Sequence, residues 1–383
     1  MQRLKYLLLS SLIVFQFSCR ETFAPPEVAS PEPVLVVEGV LVAGSEPTRI
    51  RLSRSSRLDT INAFAPESNA VVIVEGKDNS IQILAELGSG IYSSPALNMT
   101  VGQEYRLHIT TNNSREYLSE FITVKQTPPI DNIGFKQTEE GVRLHVNTHD
   151  QTNSTRYYLW NYDETWEIRS YFFATVIYRG GDTVEPRIFP QENVSRCWKY
   201  GISTNILINS SEKLSDDVIF EGPLAFFPNG DERLGVRYSM LLRQYAIDKA
   251  AYEFYELMKR NTESLGTVFD PQPTEISGNI RCITDPAELV IGYVTASTPS
   301  VTRYFLNNSE LRGFRYPQYC MTENIRNHPD SIRGAYSSGG LMPYDALYSA
   351  MGPSVDTTHW FSAPAECVDC TKRGGNLAMP TYW

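Results

Sequence analysis

The sequence predicts a mainly β protein: an N-terminal immunoglobulin-like sandwich, then a second β-sandwich-like domain with a long insertion, one α-helix and a Cys-containing C-terminal tail. Three observations carry this expectation. Apolar residues alternate with polar ones at period two in many short runs, as at Ile50 and Leu52 between Arg49 and Arg51, which is the pattern of a half-buried strand. Gly, Pro, Asn and Ser separate those runs at short intervals. Only one stretch, after Asp248, carries an apolar stripe at helical spacing.

Residues 1–18 read as a lipoprotein signal peptide. Arg3 and Lys5 supply the charged start, and Leu7 to Phe17 is apolar apart from Ser10, Ser11 and Gln16. That run is shorter than the ~20 residues a spanning helix needs. Ser18-Cys19 then marks a cut before a cysteine that is lipidated, although Gln16 stands where Leu is usual. Residues 19–33 are rich in Pro, Glu, Ala and Ser and form a flexible tether. The acyl chains on Cys19 would be the membrane anchor.

The first sandwich is expected over residues 34–126. Its strands are Val34–Val42, Thr48–Ser55, Ala70–Glu75, Ile81–Leu87, Tyr105–Thr110 and Tyr117–Val124, with a further short strand after Gly88-Ser89-Gly90. Pro128-Pro129 breaks any ladder and marks the boundary. The second domain spans residues 127–310. It has strands at Gly141–Val146, at the aromatic run Arg156–Arg169 and at Val236–Ile247, and an irregular insertion at about 180–235. A helix over about 248–264 starts at the N-cap Asp248, with Ala251, Phe254, Tyr255 and Met258 as its stripe and Gly266 beyond its end. A closing strand pair, Ile280–Thr284 and Glu288–Ala296, is followed by Arg303–Leu306. Residues 311–383 form a loop-rich tail stapled by disulfides across the sandwich.

Composition narrows the function classes. The 383-residue chain has a formal charge of −10 and no basic cluster, which disfavours nucleic acid and anionic lipid heads as partners. HExxH, a phosphate-binding Gly-Lys-Ser/Thr loop and GxSxG are all missing, so no catalytic residue is assigned and no enzyme or cofactor is expected. His145 and His149 fall on a strand, where i and i+4 lie about 13 Å apart and cannot share one metal. Asp216-Asp217 matches calcium chemistry and a solvated loop alike. Glu253 and Glu256 fit helix-surface pairs with Lys249 and Arg260.

Cysteine usage points to an oxidising compartment. Besides Cys19 there are Cys197, Cys282, Cys320, Cys367 and Cys370, an odd number, so at least one thiol is left over or pairs outside the chain. Cys367-Val368-Asp369-Cys370 has the spacing of half a zinc site, which Cys320 with His328 or His359 would complete. Disulfides are favoured over metal, with connectivity open.

Two surface features remain. The aromatic strand carries Tyr158, Trp160 and Tyr162 on one face and reads first as core; Trp160 and Trp166 are its candidates for ligand or partner contact. The tripeptide Asp-Ser/Thr-aliphatic is similar to an O-glycosylation sequon and recurs at Thr60, Thr183 and Ser331, more loosely at Thr357, all in expected loops.

The order of these features resembles a known family. Leu35-Val36-Val37-Glu38-Gly39 after lipobox and tether, Cys197-Trp198, Arg237-Tyr238-Ser239, Phe269-Asp270-Pro271, Gly278-Asn279-Ile280 and the ending Cys367 to Trp383 are similar to the domain of unknown function 4249 (DUF4249) lipoproteins of Bacteroidota. Cys282 is outside that pattern. The resemblance therefore implies that Cys197, Cys320, Cys367 and Cys370 make two bridges and leave Cys282 free. Members are typically encoded beside TonB-dependent outer-membrane receptors. The resemblance thus implies a lipoprotein anchored in the outer membrane, facing the cell surface, and helping such a receptor in ligand capture or uptake. The alternatives are a surface glycan- or peptide-binding module acting alone and, further off, a hydrolase.

Overall fold

A computed structural model describes residues 33–55, 64–263, 278–349 and 356–383. The signal peptide, Cys19, most of the tether, Thr60 and the run from Gly266 to Pro273 lie outside the described residues.

The first sandwich uses β1 (Leu35–Val42), β2 (Thr48–Ser55), β3 (Phe64–Pro66), β4 (Val71–Gly76), β5 (Ile81–Gly88), β6 (Ile91–Ser94), β7 (Glu104–Thr110), β8 (Glu116–Ser119) and β9 (Ile122–Thr123). Alternation is the reason these residues form strands. In β7, Tyr105, Leu107 and Ile109 turn inward while their neighbours are half-exposed. Gly88, Ser89 and Gly90 all have positive φ, giving the tight β5–β6 turn. A Cβ on Gly90 would sit 2.2 Å from the Leu52 carbonyl oxygen, so only glycine fits there.

The second sandwich faces two sheets across one core. Strands β10 (Ile130–Gln137) and β11 (Gly141–His149) open it, followed by β12 (Tyr157–Arg169) and a hairpin of β13 (Val176–Tyr178) and β14 (Val184–Pro186). Then come β15 (Arg196–Ile202), β16 (Leu207–Ser210), β17 (Val218–Pro228) and β18 (Arg237–Ala246). The stretch 180–235 is thus no irregular insertion. β15 and β16 pair in turn with the two halves of β12, and β17 pairs with β11. β17 escapes the alternation rule because Gly222-Pro223 lies where its register with β11 shifts, so two bulges scramble its period. Tyr158, Trp160, Tyr238, Leu242 and Phe227 fill the core between the sheets β10-β11-β17 and β15-β12-β18.

Helix α1 (Lys249–Glu263) starts as its sequence dictates, with the Asp248 carboxylate accepting the Ala251 N–H at 2.7 Å. Its buried Ala251 joins Tyr157, Leu159 and Tyr245 from the second sandwich and Val40 and Val42 from the first. One apolar cluster thereby ties both sandwiches together, and β12 is buried on both faces.

The closing strands go elsewhere than expected. β19 (Ile280–Cys282) pairs antiparallel with β8, while β20 (Val290–Ile291) and β21 (Thr295–Ser297) pair parallel with β1. They belong to the first sandwich, inside a 12-stranded sheet of order β19-β8-β7-β4-β5-β6-β2-β1-β20 that rolls into a nearly closed sandwich. Only β22 (Ser300–Asn307) returns to the second sandwich, beside β18. Short apolar runs such as Val290-Ile291 satisfy any open edge, and sequence does not say which one. The boundary at 127–310 is therefore interrupted by 278–297.

The tail is also more ordered than a loop. β23 (Glu323–Arg326), helix α2 (Pro329–Tyr336), β24 (Leu341–Ser349), β25 (Asp356–Pro364) and the single turn α3 (Ala365–Val368) form a small lobe. Its core joins Ile332, Tyr336, Ala346 and Trp360 to Val176 and Val184 of the hairpin β13–β14. No helix among the described residues is long and apolar enough to cross a membrane.

Candidate functional site

Covalent chemistry fixes the tail first. Cys197 bonds Cys370 across a sequence separation of 173, and Cys320 bonds Cys367 across 47. Cys282 is free and buried in the first core. This is the partition the resemblance implied. The zinc alternative falls, because a sulfur held in a disulfide is no thiolate ligand. Among the described residues no group of three His, Cys, Asp or Glu side chains is placed to hold a metal ion.

An ion-pair network follows the tail along β12. Glu167, only 2% exposed, accepts from Arg196 at 2.7 Å, Arg169 at 2.8 Å and the Trp383 indole at 3.3 Å. Burial works against its charge, but the hydrogen bonds from Arg196 and Arg169 prevail and hold its pKa below the usual carboxylate range. Glu232 behaves alike: Lys199 at 2.7 Å and Arg373 outweigh its burial. Glu164 accepts from the Tyr238 hydroxyl at 2.9 Å and lies 3.4 Å from Arg233. Tyr382 completes the clamp on Thr165 at 2.7 Å, under Arg303. Glu167 and Glu232 bind the C-terminal Trp383 and Arg373, whereas Glu164 is tied within the second sandwich. They are not legible in the sequence because, apart from Arg169 two residues along β12 from Glu167, their partners come from distant parts of the chain.

The remaining candidates separate cleanly. Trp160 is 2% exposed, with its indole N–H on Gln244 at 2.8 Å. It is core, and its reading as a contact residue is corrected: the alternating face of β12 points inward. Trp166 is half-buried between two clusters and reaches Glu232 at 3.4 Å. Asp217 is buried and takes the Tyr158 hydroxyl at 2.6 Å together with Ser211, whereas Asp216 is exposed, so the pair shares no ion. Glu256 pairs with Arg260 at 3.4 Å, but Lys249 pairs with Glu212 at 2.8 Å rather than with Glu253. His145 and His149 both lie on β11, and His149 binds Asp131 at 2.7 Å.

Of the glycosylation candidates inside the described residues, Thr183 alone is exposed in a loop. Ser331 sits in α2 and Thr357 in β25, both half-buried, so their placement in loops is corrected. Helix and strand formed there because Ile332 and Trp360, their near neighbours, found a shared core.

One surface stands out. On the outward face of β4 and β5, Ile81, Ile83 and Leu87 are 66–68% exposed and Val71 is 51% exposed. Ile73 lies directly opposite Ile83, so the side chains form one aliphatic stripe. Glu75, Arg106 and His108 border it, with Glu75 bound to Arg106 and to His108 at 2.7 Å each. Sheet faces normally hide such residues, and exposed aliphatic patches mark interaction surfaces.

Architecture and stapling together define a class: a two-sandwich β protein closed by a disulfide-bonded, ion-paired C-terminal lobe. The chain belongs to the family described as "Domain of unknown function (DUF4249)", whose model matches residues 20–303. The match covers nearly all of both sandwiches and ends before the small lobe. No curated protein matches the chain at a significant level.

Proposed function

We propose that the protein is a lipid-anchored accessory of the outer membrane that docks on a TonB-dependent receptor and has no catalytic step of its own. The observation that carries this reading is the aliphatic stripe on β4–β5, an apolar face with no covering element among the described residues. The two disulfides support export, because such bonds persist in oxidising compartments. The sequence at Ser18-Cys19 supports the anchor. Between Cys19 and Pro33 the tether reaches about 50 Å when extended, enough for the stripe to meet a membrane-embedded partner from the side. Exposed Thr183 is the O-glycosylation candidate that fits this surface location, and an unmodified mass for the native protein would remove it.

The test is co-purification from mildly solubilised outer membrane. The wild type is expected to bring down a large β-barrel, and Ile81→Glu with Ile83→Glu is expected to release it without unfolding. Retention of the barrel by that variant, or recovery of the wild type alone, would reject the reading. Cys19→Ala should leave the membrane fraction altogether.

A further inference from the structure

The outward face of the sheet β10-β11-β17 is built differently from the aliphatic stripe and lies on the other sandwich. Its cross-strand rungs are ordered. Lys136 lies opposite Arg143, which lies opposite Phe226; Gly134 lies opposite His145, which lies opposite Pro223; Asn132 lies opposite Asn147.

The central rung is a floor. A Cβ on Gly134 would come within 2.7 Å of His145 Nε2, so the imidazole lies against the glycine backbone and stays flat only because that position is glycine. At one end Asn147 accepts the Glu221 N–H at 2.7 Å, and its own amide donates to Asn132 at 2.8 Å. At the other end the Arg143 guanidinium stands over the Phe226 ring, 4.6 Å from its centroid. Arg143 is thereby held in position, with Glu140 at 3.2 Å as an exposed partner. The face opens into a shallow cavity of about 330 Å³ walled by Leu207 and Pro223 and reached by Lys259 from α1. Phe226 and Phe220 are 41% and 75% exposed on the same strand.

Charge selects the ligand. Three cations, Lys136, Arg143 and Lys259, line this cavity; Lys136 is paired with Glu221 and Arg143 with the exposed Glu140, which leaves one positive charge in excess among these groups on a protein whose formal charge is −10. Guanidinium and ammonium groups recognise carboxylates. Flat aromatic and proline surfaces with side-chain amides beside them fit the faces and hydroxyls of sugar rings. From this juxtaposition we infer that the β10-β11-β17 face binds an acidic oligosaccharide, one whose rings carry uronate carboxylates. Its carboxylate would meet Arg143 in place of the exposed Glu140, its ring the surface of His145, Pro223 and Phe226. An acidic peptide offers the charge without the ring, and a neutral glycan the ring without the charge.

The test is titration of the purified full-length protein in detergent with oligogalacturonate, oligomannuronate and hyaluronan fragments. Methyl-esterified oligogalacturonate and polyglutamate serve as comparison probes. At least one uronate should bind saturably, with the ester and polyglutamate weaker by about tenfold or more, since centrally placed Arg and aromatic contacts carry such differences. Arg143→Gln and Phe226→Ala should each weaken it by a similar factor with unchanged thermal midpoints, both side chains being largely exposed. Ile83→Glu, which tests receptor docking, should leave glycan binding intact, so the two readings fail separately. No saturable binding to any uronate, equal binding of polyglutamate, or unchanged binding by both variants would overturn the inference.

Discussion

The first sandwich and the C-terminal lobe are both closed by late parts of the chain, but by opposite means. In the first sandwich the closing residues are apolar: Ile280, Val290 and Val294 drop into the core beside Leu35 and Tyr117. Its charge cluster at Glu288 is compact, with Glu288 taking Arg54 at 2.8 Å, Arg115 at 2.7 Å and the Tyr117 hydroxyl at 2.8 Å. The C-terminal region is held to the second sandwich by one disulfide, Cys197–Cys370, with Arg373 on Glu232 and Trp383 on Glu167, and the second disulfide, Cys320–Cys367, closes within the tail itself. The difference follows from area. A long sheet supplies enough apolar surface to close on itself, whereas a lobe of three short strands does not and needs staples.

Breaking the covalent side should have the largest effect. Replacing Cys197 and Cys370 together by Ser removes a long-range cross-link and is expected to cost about 4–5 kcal/mol on loop-entropy grounds. Limited proteolysis should then cut the tail while the first sandwich stays protected. Equal loss of both regions would show that they unfold as one unit.

The apolar side is probed by Ile280→Ala, with an expected loss of about 2–5 kcal/mol for a buried aliphatic truncation. Denaturant unfolding should report it, and the tail should keep its protease resistance. A smaller change, Asp248→Ala, removes the N-cap of the helix that joins the two sandwiches and should cost about 1 kcal/mol. Differential scanning calorimetry would detect that shift.

Acid is the gentlest probe. Glu167, Glu232 and Glu288 all have folded pKa values below their unfolded ones; burial opposes the charge in each, and partnered donors outweigh it. Their stabilisation is therefore complete above the unfolded carboxylate value of about 4.3 and is lost as pH falls through the lower folded values. Stability from these groups should be flat from pH 7 to 5 and decline below, in both regions. His149 works in the opposite sense: its hydrogen bond to Asp131 raises its pKa, so its contribution is present below the unfolded value of 6.5 and is lost as pH rises through the folded one, and a decline already present at pH 6 on acidification would contradict the carboxylate assignment.

Much of this architecture was legible wherever one physical rule governed one segment. Ile50 and Leu52 announce β2 by alternation, and Asp248 announces α1 by its cap. Legibility fails where the answer depends on a distant partner. Val290-Ile291 reads as a strand but not as the parallel neighbour of Leu35-Val36. Residues 180–235 read as an irregular insertion, although β17 runs through Gly222-Pro223 with a bulge. Ser331 and Thr357 read as loop residues until the hairpin β13–β14 supplies a core for them to border. The candidate surfaces were the least legible. Trp160, read first as core and second as a contact candidate, is internal, while Ile81 and Ile83, read as ordinary strand residues, and Phe226, read as part of the insertion, are external. A period of two separates the faces of a strand without saying which one meets water.

The return of the chain to β1 also sets a timetable. Leu35 pairs with Val290, about 255 residues later, a separation of the kind that slows folding. During synthesis the N-terminal strands emerge first, yet the sheet edge at β1 stays open until nearly three quarters of the chain has followed. For that interval Val36 and its neighbours offer unpaired backbone groups to any other strand at hand. A chaperone with affinity for extended apolar segments would find its best client here, in a nascent chain whose first domain waits on residues 278–297 for its closing strands.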